Sequence, residues 1–90
     1  MKRAHIKLTG QVQGLGFRFY VQHIAVKKDI KGWVRNDKKA CLEIMAEGTE
    51  LALKELVQHC RKGPRFAVIK KINVDYSEAH GRFHSFSIRH

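Results

Sequence analysis

Apolar residues recur at every second position from Arg3 to Val12, and from Phe17 the spacing lengthens to three and four. That change of period limits the possible folds more than any other feature of the chain. Ala4, Ile6, Leu8 and Val12 fall on one side of an extended segment and Arg3, His5, Lys7 and Thr9 on the other, the pattern of a strand covered on one face. Phe17, Val21, Ile24, Ala25 and Lys28 fall on one face of a helix, which residues 29–32 close. Two strands are expected next, Trp33 to Asn36 and Cys41 to Glu47, joined by the polar turn Asn36-Asp37-Lys38-Lys39.

Thr49 is placed to cap a second helix and Glu50 to sit in its first turn. Leu53, Leu56, Val57 and Cys60 form its apolar stripe, and Arg61-Lys62-Gly63-Pro64 stops it. Alternation returns through Val68, Lys70, Ile72, Val74 and Tyr76, and Phe86 and Ile88 share a face of a closing strand. Helices that each bury a single stripe have to share one face of a sheet. The order β-α-β-β-α-β therefore predicts an α+β fold, a ferredoxin-like α/β sandwich with two helices on one face of an antiparallel sheet.

Ninety residues supply one two-layer core, so residues 1–90 are read as a single domain. The apolar stretches fall well short of the roughly 20 residues of a membrane span, and Met-Lys-Arg-Ala-His-Ile lacks the apolar region of a signal peptide. A cytoplasmic protein with no membrane partner is expected. The spacing of Cys41 and Cys60 fits no zinc pattern, and both are read as free, structural thiols. A net charge of +10 calls for an anionic partner, from a phosphate ester to RNA, although the basic residues are scattered and a solvated surface accounts for most of them.

The chemistry gathers at Gly-Gln-Val-Gln-Gly-Leu-Gly-Phe-Arg, residues 10–18. Gly14 and Gly16 allow the chain to turn successive N–H groups toward one point, beside the positive end of the following helix. Arg18 adds a planar fork that fits two phosphate oxygens. The segment is no Walker A loop, since no Gly-Lys-Ser/Thr follows, and Cys60 precedes Arg65 by one residue too few for a cysteine-dependent phosphatase loop. No Asp, Glu or Cys occurs before Lys28, and His5 and His23 lack recognisable triad partners. A reaction that needs no general acid suits this inventory. Carboxylic-phosphoric anhydrides fit, because the leaving carboxylate has a parent acid pKa of roughly 4.

Residues 10–18, followed about fourteen residues later by Gly32-Trp33-Val34-Arg35-Asn36, resemble the acylphosphatase family, whose usual motifs are G-x-V-Q-G-V-x-F-R and G-x-V-x-N. Leu15 in place of valine is the one departure, and Gly81-Arg82-Phe83 with Phe86-Ser87-Ile88 is similar to the family's last strand. The resemblance implies the same sandwich, an acyl phosphate substrate, Arg18 binding the phosphate and Asn36 positioning the attacking water. Gln13, Gly14, Leu15, Gly16, Phe17 and Arg18 are the expected phosphate-binding residues. Arg18 and Asn36 are the expected catalytic pair, with no cofactor and no metal. Inorganic phosphate is expected as product and inhibitor.

Two other readings share the element order. An RNA-binding module also combines it with a basic balance, but strand one offers no exposed aromatic for stacking, so specific nucleic acid binding is not expected. A carbamoyl-phosphate-handling regulatory domain is the other, since acylphosphatase-like modules also stand at the front of larger hydrogenase-maturation proteins.

Overall fold

The computed structural model describes all of Met1–His90. Its elements are β1 (Lys2–Gln11), α1 (Phe17–Lys27), β2 (Lys31–Asn36), β3 (Leu42–Gly48), α2 (Glu50–Lys62), β4 (Val68–Glu78) and β5 (Phe86–Arg89). They build the expected sandwich, with sheet order β4-β1-β3-β2-β5. Ala4, Ile6 and Leu8 of β1 stand opposite Ala46, Ile44 and Leu42 of β3, and all six are fully buried under the helices. Phe17, Val21, Ile24 and Ala25 of α1 and Leu53, Leu56, Val57 and Cys60 of α2 close the same core. Burial pushes the Cys60 thiol up to about 12, as suits an inert core group; Cys41 and Cys60 are both free.

The sheet is mixed rather than antiparallel throughout. Strands β4, β1, β3 and β2 pair antiparallel, but β5 runs parallel to β2, with Gly32 opposite Phe86 and Val34 opposite Ile88. Chain direction explains this. Strand β4 runs opposite to β1, and so opposite to β2, and it ends at the edge of the sheet farthest from β2. The chain then crosses to the other edge and returns in the direction of β2. The crossing is tied down where the Glu47 carboxylate accepts the N–H groups of His80 (2.8 Å) and Gly81 (3.1 Å), and where Gly32 N–H donates to Ser85 O at 2.9 Å.

A second departure lies in β4. Simple alternation groups Val68, Lys70 and Ile72, yet Ile69 and Ile72 pack on the core while Val68 is 47% exposed. The register shifts between Thr9 and Gly10, whose partners are Lys71 and Ile69, so Lys70 is an extra residue and the side-chain alternation reverses there. Gly10 and Gly32 are needed for close approach. A Cβ on Gly10 would overlap the Val68 carbonyl oxygen, and one on Gly32 the Met45 carbonyl oxygen. The opening glycines of both sequence motifs therefore serve the sheet, leaving Gly14 and Gly16 for the site.

Candidate functional site

At the end of β1 the chain passes through residues 12–16 into α1, whose N-cap is Gly16 (φ 72°, ψ 18°). Gly14 has φ 74°, and a Cβ at either glycine would meet no atom, so backbone conformation rather than crowding selects glycine here. The helix start is left open. No side chain caps it and its first turn holds no acidic residue. The first helical bond runs from Tyr20 N–H to Gly16 O at 3.0 Å, so the N–H groups that precede it have no helical acceptor.

Alternation along β2 puts Asn36 on the same face as Val34, which lies in the core, and so turns it toward α1. There it meets the loop. A cavity of about 110 Å³ is lined by Gly14, Gly16, Arg18 and Asn36, with Val12, Phe17 and Phe19 completing its walls. The Asn36 Oδ1 is buried without a hydrogen-bond partner. A buried acceptor left unpaired costs about 1–3 kcal/mol.

The turn after Asn36 holds that strand end in place. Asp37 Oδ1 accepts the N–H groups of Lys39 (2.9 Å) and Cys41 (3.0 Å), and Asp37 N–H donates to Cys41 O at 2.9 Å. Cys41 thus belongs to the turn and β3 begins at Leu42. Burial works against the Asp37 charge, but these N–H groups and Lys7 outweigh it and hold the carboxyl below its ordinary range. The Gln13 side chain donates from Nε2 to the carbonyls of Asp37 (3.3 Å) and Cys41 (3.1 Å). It therefore ties the glycine loop to the turn that carries Asn36, and only its backbone is free for an anion.

The other expected residues divide in the same way. Phe17 is 2% exposed and packs edge-on against Tyr20, ring centres 5.7 Å apart, while its backbone starts the helix. Leu15 is half-buried and contributes no side chain to the cavity. Arg18 donates from a guanidinium nitrogen to His90 Nδ1 at 3.1 Å. Sequence reasoning missed Gln13 as a tether, Phe19 as a wall and His90 as a neighbour of Arg18. Phe19 lies off the buried stripe of α1, so periodicity carries no signal for it.

The opposite face of the sheet is built of ion pairs. Glu43 accepts from Arg35 at 2.7 Å and contacts His5 Nε2 at 2.6 Å, and Glu47 accepts from Arg3 at 2.8 Å. Desolvation acts to raise the Glu43 carboxyl, but its bonds to His5 and Arg35 more than offset this and it lies below the ordinary carboxylate range. Trp33 is 9% exposed, with the guanidinium carbons of Arg35 and Arg89 at 5.1 and 4.8 Å from its ring centre. Little of that ring is exposed. No group of three His, Cys, Asp or Glu side chains converges where a metal could sit, and no helix is long and apolar enough to cross a membrane.

An uncapped helix start, an arginine and an unpaired amide oxygen surround one small cavity on a ferredoxin-like sandwich, an arrangement whose chemistry suits an oxyanion. The comparisons narrow this. The family model described as acylphosphatase matches residues 4–88. Acylphosphatase from Moorella thermoacetica is 41% identical over 87 residues, spanning 97% of this chain and 92% of that protein. The corresponding protein from Salinibacter ruber is 39% identical over 88 residues, spanning 98% and 93%. The crystal structure of acylphosphatase from Bacillus subtilis matches with a TM-score of 0.96 at 39% identity, covering 100% of both chains. The chain belongs to the acylphosphatase family, and it is an enzyme that hydrolyses acyl phosphates to a carboxylate and inorganic phosphate.

Proposed function

We propose that the N–H groups of Gln13 through Arg18 and the Arg18 guanidinium hold the phosphate of the acyl phosphate, and that Asn36 orients the attacking water. The buried, unpartnered Oδ1 of Asn36 at a cavity shared with Gly14, Gly16 and Arg18 carries this reading. A water that donates to Oδ1 satisfies that oxygen and turns a lone pair toward phosphorus. The water oxygen bonds to phosphorus as the bond to the acyl oxygen breaks, and the carboxylate leaves with the electron pair. It is stable unprotonated, so no acid is needed. An amide takes up no proton at neutral pH; the water's proton passes to a phosphate oxygen, whose second pKa is about 6 by analogy with phosphate esters. The fixed donors stabilise the charge of the transferring group, each contributing on the order of 3 kcal/mol.

On this proposal residues 1–90 act as one domain in the cytoplasm, without metal or cofactor. Inorganic phosphate, the product, competes for the same cradle. Nucleic acid meets only the general +10 charge, as a contact that fades steeply with salt and reads no sequence. The test is hydrolysis of acetyl phosphate and benzoyl phosphate in excess EDTA, with inorganic phosphate as inhibitor. Full rates and competitive inhibition are expected. Loss of activity on chelation, restored by a divalent ion, would contradict the metal-free mechanism.

A further inference from the structure

Two surfaces adjoin the reaction centre and could receive the acyl group. One is an open cavity of about 380 Å³ that shares Asn36 and is lined by Lys7, Arg35, Asp37, Lys38, Lys39 and His90, with no apolar side chain and with cations outnumbering its one carboxylate. It suits an acyl group carrying a second negative charge. The other is the wall made by Phe19, a residue 65% exposed although it lines the 110 Å³ cavity. In that cavity Val12 and Phe17 are 1% and 2% exposed and belong to the core, while the glycines, Arg18 and Asn36 are taken up by phosphate and water. Phe19 alone offers accessible apolar surface there.

In-line displacement chooses between them. The entering water and the leaving oxygen lie on opposite sides of phosphorus. Asn36 belongs to β2 and forms the sheet-side wall, whereas Phe19 belongs to the first turn of α1 and forms the helix-side wall. With the water on Asn36, the acyl group departs toward the helix side and away from the cationic cavity. We propose that Phe19 is a specificity-determining residue that receives the acyl group, and that it favours acyl phosphates with apolar or aromatic acyl groups. The inference rests on the assignment of water to Asn36.

The phosphate is gripped alike for every substrate, so contact with Phe19 adds binding that is present before and during reaction. Such uniform binding appears in KM and leaves kcat unchanged. Losing an aromatic contact together with the apolar area it covers should raise KM about tenfold.

The experiment compares acetyl, butyryl, succinyl and benzoyl phosphates on the wild type, Phe19→Ala, Phe19→Tyr and the double variant Lys38→Gln/Lys39→Gln, with the inhibition constant of inorganic phosphate measured on each. For Phe19→Ala, KM for benzoyl phosphate should rise about tenfold, with acetyl phosphate, kcat and phosphate inhibition unchanged. Phe19→Tyr should retain the benzoyl preference. Unchanged benzoyl KM in Phe19→Ala overturns the inference, as does a parallel loss for acetyl phosphate or weakened phosphate inhibition, which would mean that Phe19 acts through the loop. A selective loss of succinyl over butyryl phosphate in the lysine variant also overturns it, by placing the acyl group over the cationic cavity. A wild type that hydrolyses none of the four would refute the proposed function itself, a different result from hydrolysis without a Phe19 effect.

Discussion

The two helices of this protein begin in opposite ways. At α2 the Thr49 side chain accepts the N–H of Ala52 at 3.1 Å and Glu50 places a negative charge in the first turn, so the end is satisfied from within. At α1 a left-handed glycine stands at the cap, no side chain bonds the exposed N–H groups, and Arg18 adds positive charge where an acid would help the helix. The Tyr20 hydroxyl donates to the His59 carbonyl at 2.9 Å and joins the two helices farther along. The sequence could have closed both ends alike. Leaving one open forgoes on the order of 1 kcal/mol of helix stability and, on the proposed mechanism, provides donors that need no rearrangement when an anion arrives.

The sharpest way to break this contrast is Arg18→Gln. Removing a charged fork from a half-buried position should leave the fold intact and lower kcat/KM on the order of 10³-fold, with phosphate inhibition weakened. Lysine should restore little, since it offers a point charge in place of the planar fork. A folded Arg18→Gln protein with near wild-type rates would show that the open helix start is not where the reaction occurs.

Asn36→Ala should lower kcat by about 10²-fold while sparing phosphate inhibition, because it removes the acceptor for the water and leaves the donors in place. Steady-state kinetics with phosphate as inhibitor separates the two variants. If Asn36→Ala lost phosphate inhibition and kept kcat, the asparagine would be a phosphate ligand or a support for the loop.

At the closed helix the same kind of truncation should do the reverse. Thr49→Ala should reduce unfolding free energy by about 1 kcal/mol, read by denaturant titration, with kcat/KM unchanged. A marked loss of activity in that variant would mean that the two helix starts are not functionally separate.

How much of this was legible in the sequence follows from the range of the interactions. The strands and helices come from periodicity, which is local, and the loop and Asn36 come from two short motifs. The parallel β5 and the β4 bulge were not legible. The first depends on which edge the chain returns to, and the second on how Thr9 and Gly10 meet Lys71 and Ile69, a partner strand some sixty residues away. Within the site, the Gln13 tether and the Phe19 wall are contacts between layers. Gln13 stands in the first motif, but nothing in its spacing indicates that its amide reaches the carbonyls of Asp37 and Cys41.

The most direct test of the central claim is an amide-resolved NMR titration of the folded protein with inorganic phosphate at moderate salt. The account predicts saturable shifts concentrated on the N–H groups of residues 13–18, with those of Thr49 to Ala52 unmoved because that helix start is already capped. Shifts that appear equally at both helix starts, or that spread over the basic surface without saturating, would contradict it.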